Sequence, residues 1–194
     1  NMELISEAQL PTKSGNFTIK VFKNPNSLVE HFVLQNSDME AVTPMVRIHS
    51  ECATGDIFGS LRCDCQDQLH QALTLIAENK NGAVIYLKNQ EGRGIGISNK
   101  IKAYHLQEQG LNTYEANEAL GLPADARNYD DATAILKVLG YTSITLITNN
   151  PLKEAAVKAA GITFTTHHVS TAANEHNQAY LDAKINIGQH HIKL

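Results

Sequence analysis

From residue 3 to 35, apolar residues alternate with polar ones, most clearly in "NFTIKVFKN". Side chains of a strand point alternately to its two faces, so a period of two predicts strands. Pro11, Gly15, Asn24 and Pro25 punctuate the run, which predicts antiparallel strands joined by turns. "MVRIHS" continues as a strand that runs into the stretch holding every cysteine. In "QDQLHQALTLIAENK" the spacing places Leu69, Leu73 and Ile76 on one face of a helix. "GAVIYLK" is continuously apolar, the pattern of a strand buried on both faces. The glycine-rich "EGRGIG" follows it and leads into a helix through Ile101, Tyr104 and Leu106.

The later part alternates cleanly. "DDATAILKVLG" reads as a helix ended by Gly140, "SITLIT" as a strand, "NPLKEAAVKAAG" as a helix with Pro151 in its first turn, and "ITFTTH" as a strand. Alternating strands and helices argue for an α/β fold. The expected architecture is a mixed sheet with antiparallel N-terminal strands and flanking helices, with the cysteines in a loop region. From about residue 168 the chain is polar and His-rich without a period. We therefore expect one domain over residues 2–194 with a polar C-terminal arm; Asn1, ahead of Met2, is left out.

A length of 194 residues suits one sizeable domain. No apolar run is long enough to span a bilayer and no signal-peptide pattern opens the chain, so no membrane partner is expected. A net charge of −4 gives nucleic acid no general basic surface. The 3 cysteines cannot all pair, so a reducing cytoplasm fits better than a secreted disulfide framework.

Those cysteines carry the first chemical signal. Cys52, Cys63 and Cys65 form a C-x10-C-x-C string, three soft thiolate ligands that select zinc in a reducing compartment. Three protein ligands leave the fourth position to water, the pattern of a catalytic zinc. The alternatives are a structural site completed by His49 or His70, and three unligated thiols. Three thiolates make zinc a weaker Lewis acid than three imidazoles would, so a base is expected nearby. Glu51 and His49 flank the first ligand and are candidates. Zinc deaminases also carry an H-x-E string, but their cysteine spacing differs, so that parallel concerns chemistry alone.

The second signal is anionic. Arg47, Arg62, Arg93 and Arg127 each lie in one of the segments singled out here, and Arg suits bidentate recognition of phosphate. Arg93 sits inside "QEGRGIG", whose glycines would let backbone N–H groups approach an anion; a plain tight turn is the alternative. "ITNNPLK" offers a strand end and a helix N-terminus where Thr148 and Lys153 would face a phosphate, against the alternative of an ordinary capped helix. In "PADARNY", Asp125 and Arg127 stand two apart and can meet one substrate, or form a surface ion pair.

Taken together, "RIHSECATGDIFGSLRCDCQDQL", "QEGRGIG", "NKIKAYHLQEQG", "TYEANEALG", "ADARNY" and "TNNPLK" resemble GTP cyclohydrolase II, the first committed enzyme of riboflavin synthesis, from about residue 4 to 188. The resemblance implies that Cys52, Cys63 and Cys65 hold one catalytic Zn²⁺ per chain. It implies that Arg47, Ile48, His49, Ser50, Glu51, Gln68, Glu91, Gly92, Arg93, Thr113, Thr148 and Lys153 bind GTP. Asp125 matches the family's proton acceptor, Arg127 its proposed nucleophile toward the α-phosphate, and Tyr104 a tyrosine beside the ring under attack.

The implied reaction releases pyrophosphate, opens the guanine imidazole ring by hydrolysis at C8, and releases formate. The product would be 2,5-diamino-6-ribosylamino-4(3H)-pyrimidinone 5′-phosphate. Mg²⁺ is expected on the triphosphate, and a homodimer is implied. Asn89 stands where an arginine is common, Ala183 where a threonine is common, and "THHVSTAANEHNQ" has no match in the pattern. The string holds no dihydroxybutanone-phosphate synthase domain, so cyclohydrolase activity alone is expected. Two rival readings are an enzyme that stops at the formylamino product, against which Tyr104 speaks, and a zinc-stabilised nucleotide-binding module without turnover.

Overall fold

The computed structural model describes residues 1–123 and 127–170. Among them, seven strands form one sheet in the order β1-β2-β3-β5-β4-β6-β7. The alternating N-terminal segments become β1 (Glu3–Thr12), β2 (Gly15–Lys23) and β3 (Glu30–Asn36), an antiparallel meander. β3 also pairs antiparallel with β5 (Gly82–Leu87). β4 (Met45–Ser50) lies between β5 and β6 (Ser143–Ile147), parallel to both, and β7 (Thr163–His167) closes that edge. The expected mixed sheet with antiparallel N-terminal strands is what forms.

Strand periodicity assigns the faces. Val84 and Ile147 meet Phe17 and the apolar stripe Ala72, Leu73 and Ile76 of α2 (Cys65–Asn79) on one side. Ala83, Ile85, Ile144 and Leu146 meet Ala132, Ile135 and Leu136 of α6 (Asp130–Val138) and Val157 of α7 (Pro151–Ala159) on the other. With helices on both faces, β5 is buried at every position but the half-buried Tyr86, which is why its sequence is continuously apolar. Each fully buried Ile or Leu contributes roughly 1.5–3 kcal/mol.

β4 obeys the same period with a different outcome. Val46 and Ile48 join the second core, so Arg47 and His49 must point to the α2 side, where they are 4% and 1% exposed. Polar groups buried that deeply need partners. The partners they find set up the site.

Two short helices and the burial of a third depart from the sequence reading, whereas the glycine-rich stretch turns as read. α1 (Ala53–Asp56) and α5 (Thr113–Ala119) are short helices that no apolar period announced; the Asn112 side chain caps α5 by accepting from the Glu115 N–H at 2.8 Å. In α3 (Glu91–Gly94), Gly92 (φ 58°) and Arg93 (φ 60°) are left-handed, so it is a glycine turn and not a regular helix. α4 (Ile97–Glu108) buries Lys100 and Ala103 and leaves Ile101 47% exposed. Its inner face is turned toward the thiols and not toward an apolar core, so the buried position carries an ammonium.

The chain leaves β4 for β5 on one side and returns to β6 on the other. Such a reversal opens a crevice at the carboxyl ends of the parallel strands, where ligands bind in open α/β sheets. Residues 50–53, 88–91 and 148–151 all emerge there.

Candidate functional site

The cysteine window folds so that three thiols converge. Cys52 ends the extension of β4, α1 turns the chain back, and Cys65 is the first residue of α2. The three Sγ atoms lie within 4.8 Å of one another. Cys52 Sγ and Cys63 Sγ are 3.7 Å apart. That is far beyond a disulfide, and it matches the ~3.8 Å that two sulfurs span on a tetrahedral zinc at ~2.3 Å Zn–S. Among the described residues no His, Asp or Glu joins the cluster, so the three thiols are the donors that those residues offer a metal.

Gly55 makes the convergence possible. A Cβ there would lie 2.6 Å from Cys63 Sγ, 3.0 Å from Cys65 Cβ and 3.2 Å from Cys52 Sγ. The thiols occupy the space a side chain would need.

The electrostatics favour a cation. Hydrogen bonds from Cys63 and Cys65, with Lys100 nearby, hold the Cys52 thiol well below its ordinary pKa, despite burial. Cys63 is pushed up to about 11, chiefly by its bond to the Cys52 sulfur, and Cys65 well above its ordinary value by its two neighbours and by burial. The protein alone therefore stabilises one thiolate. A divalent ion is the charge that would let all three ionise.

The thiols open into a cleft shared with Ser50, Glu51, Gly92, Arg93, Tyr104 and Arg127. The Tyr104 hydroxyl bonds to Thr54 Oγ1 at 3.1 Å, and Thr54 Oγ1 in turn lies 3.7 Å from Cys52 Sγ. The Arg62 guanidinium lies 4.5 Å over the Tyr104 ring, and Arg93 lies 4.7 Å over Tyr114. Glu51 pairs with Lys88 and accepts from the Asn89 N–H at 2.9 Å. Asn89 adopts φ 62°, a conformation Asn tolerates better than most residues.

A second group of expected site residues lies beneath the cleft and is turned inward. Arg47 donates to Gln68 Oε1 at 2.8 Å and to the Ile147 carbonyl at 3.3 Å, and Gln68 donates to Asp64 at 2.6 Å. Lys153 donates to the Ile48 carbonyl at 2.6 Å. Thr148 Oγ1 accepts from the Asn150 N–H at 3.0 Å, while Asn150 caps α7 by accepting from the Leu152 N–H at 2.9 Å. Glu91 is 7% exposed, bonded to the Ala53 N–H at 2.6 Å and to Lys100 at 2.8 Å. Asp125, Ala183 and the chain beyond residue 170 lie outside the described residues, and of Thr113 only its place at the start of α5 is described.

Of the two candidate bases, Glu51 lines the cleft and His49 does not. His49 stacks on Tyr86 with ring centroids 5.5 Å apart and donates from Nε2 to Asp56 at 3.0 Å. Its Nδ1 accepts from Arg47 Nε at 3.3 Å, which fixes the neutral tautomer. Asp56, unremarked in the sequence, is a hub. It also takes the Tyr86 hydroxyl at 2.7 Å and the Cys52 N–H at 3.1 Å. It thus ties the base of the first thiol to the sheet. Lys100 is likewise new: it donates to Cys52 Sγ at 3.2 Å.

Burial lowers the His49 pKa to about 4 from its ordinary 6.5, helped by Arg47 and Lys153 and opposed by Asp56. Between those values the unfolded chain holds the proton that the folded chain rejects. Stability should therefore fall as pH falls from about 6.5 to about 4, by roughly 3 kcal/mol for this group. Urea unfolding across that range checks it. His49→Gln should flatten the profile there, and an unchanged pH slope in that variant would refute the assignment.

The sequence profile of the GTP cyclohydrolase II family matches residues 3–169. "GTP cyclohydrolase-2" of Helicobacter hepaticus is 46% identical over 185 residues, 94% of each chain. "Riboflavin biosynthesis protein RibBA" of Phocaeicola vulgatus is 44% identical over 180 residues, 92% of this chain and 44% of that one. The protein of the same name in Salinispora tropica is 44% identical over 186 residues, 94% of this chain and 46% of that one. The chain thus spans about half the length of the RibBA proteins it matches.

Proposed function

The chain belongs to the GTP cyclohydrolase II family, and on that footing we propose that it opens the guanine imidazole ring of GTP. Formate and pyrophosphate would leave, and the diaminopyrimidine nucleotide of riboflavin biosynthesis would remain. The observation that carries this reading is that Cys52, Cys63 and Cys65 open into the same cleft as Arg93, Tyr104 and Arg127.

A zinc ion held by the three thiolates would supply a Lewis acid that acidifies water at the open position. The remaining work falls to the chain's own groups. Arg93 and Arg127 present guanidinium forks suited to a polyphosphate, with Mg²⁺ arriving on the triphosphate itself. Arg127 offsets the charge that develops as water attacks the α-phosphate and pyrophosphate leaves. Covalent attack by Arg127 would require a neutral guanidinium, and its pKa above about 12 makes charge stabilisation the simpler role. Asp125 is assigned the proton transfer at the ring, and the Tyr104 hydroxyl holds the formylamino intermediate. Arg47, bonded to the Gln68 side chain, and Thr148 and Lys153, bonded to backbone, are assigned with Gln68 to holding GTP at the strand ends.

A reducing cytoplasm suits a chain whose 3 cysteines are all free thiols. None of the described helices is long and apolar enough to cross a membrane. Ile57 and Phe58, 67% and 80% exposed, offer apolar surface to the second subunit of a homodimer.

The test is turnover with full product analysis. Purified protein given GTP and Mg²⁺ should yield formate, pyrophosphate and the diaminopyrimidine in equal amounts by mass spectrometry. Atomic emission should find about one zinc per chain. Unchanged GTP with zinc-loaded protein would overturn the reading, and formylated product alone would assign the chain to the early-stopping reaction.

A further inference from the structure

We propose that Lys100 is a positioning residue of the metal site, tuning it through a direct hydrogen bond from its ammonium to the Cys52 sulfur. The proposal rests on the cysteines holding a metal, and not on the substrate being GTP.

Lys100 sits in the first turns of α4 with its side chain 8% exposed, and its Nζ lies 3.2 Å from Cys52 Sγ. The geometry is fixed from the other end. Lys100 Nζ also donates to Glu91 Oε2 at 2.8 Å, while Glu91 Oε1 accepts the Ala53 N–H at 2.6 Å. Ala53 follows Cys52 directly, so one carboxylate grips both the backbone beside the ligand and the ammonium that touches the ligand's sulfur. Gly92 allows the close approach: a Cβ there would lie 2.9 Å from Lys100 Cβ. No other ammonium among the described residues is shown at a cysteine sulfur.

The physical consequence is specific. Glu91 cancels the Lys100 charge at longer range, so the effect is confined to the one sulfur its N–H group meets. A thiolate that accepts a hydrogen bond donates less electron density to its metal. The metal is then more electrophilic, which offsets the handicap of three anionic ligands. Thr54, at 3.7 Å from the same sulfur, adds a weaker contact. The site is thereby made asymmetric, with Cys52 the weakest donor of the three.

Cobalt(II) replaces zinc in thiolate sites and reports ligand donation through its sulfur-to-cobalt charge-transfer band. The experiment loads the full chain with cobalt and compares the wild type with Lys100→Met, Lys100→Arg and the double variant Glu91→Gln/Lys100→Met. Lys100→Met should shift the band to longer wavelength while cobalt stays bound, because the sulfur gives up its electron more easily. Lys100→Arg, which keeps an N–H donor, should move it back toward the wild type.

The double variant removes the orphaned carboxylate. It should regain whatever thermal stability Lys100→Met loses but keep the shifted band, which also covers the case in which the single variant does not fold. A wild-type band in the double variant would overturn the proposal, leaving Lys100 as a partner for Glu91 alone. Wild-type protein with no sulfur-to-cobalt band would overturn the metal reading itself, and the proposal with it.

Discussion

Cys63→Ser is expected to lose its zinc and, with it, at least about a thousandfold of the ring-opening rate, taking several kcal/mol for a Lewis acid at the reacting carbon. The expectation follows from geometry: Cys63 supplies one of three thiols within 4.8 Å of one another, and its Sγ is 3.7 Å from Cys52 Sγ. A serine oxygen reaches less far and ionises far less readily than a thiol. The same variant should still release pyrophosphate, because the guanidinium groups that would face the triphosphate do not bind the metal. Its product would be GMP with the imidazole ring closed. Arg127→Ala should do the reverse, lowering pyrophosphate release by about 10²–10³, the usual cost of one aimed charge-stabilising donor. The measurements are zinc by atomic emission, pyrophosphate by a coupled assay and ring opening by loss of guanine absorbance. Equal loss of pyrophosphate release in both variants would refute the division of labour, as would full zinc occupancy in Cys63→Ser.

The sequence made visible what local period and local chemistry determine. The alternation of "NFTIKVFK" became β2, the stripe of Leu69, Leu73 and Ile76 became the inner face of α2 with Leu69 half-buried at its edge, and the clustered cysteines became a cluster in space. What stayed hidden depends on contacts between distant segments. Nothing local places β4 between β5 and β6, since that order is set by crossovers. Lys100 meets Cys52 across 48 positions, and Asp56 meets Tyr86 across 30. A buried ammonium in α4 could be read only as a break in the apolar stripe, and the exposed Ile101 is that break seen from the other side. The inward turn of Arg47 and Lys153 was unreadable for the same reason. Arg47 meets the Ile147 carbonyl across 100 positions and Lys153 the Ile48 carbonyl across 105, pairings that no local pattern announces.

Tyr104→Phe is expected to uncouple the two hydrolytic steps. The hydroxyl is placed by Thr54 at 3.1 Å, and burial raises its pKa against the opposing pull of Lys100, so it is a neutral donor at working pH. A neutral donor beside the thiols can hold the carbonyl of a formylamino intermediate while water reaches it. One such donor is typically worth about 10²–10³ in rate. Phe keeps the ring beneath Arg62, whose guanidinium lies 4.5 Å from its centroid, so packing is preserved and only the donor is removed. Formate release should slow by that factor while pyrophosphate release stays near the wild type, and formylated nucleotide should accumulate. Packing alone predicts a different pattern, with both steps changing little or falling together as the helix loosens. Mass spectrometry after GTP exhaustion separates the two. If Tyr104→Phe gives only the deformylated product at the wild-type rate, the hydroxyl serves Thr54 and the thiol loop rather than the substrate.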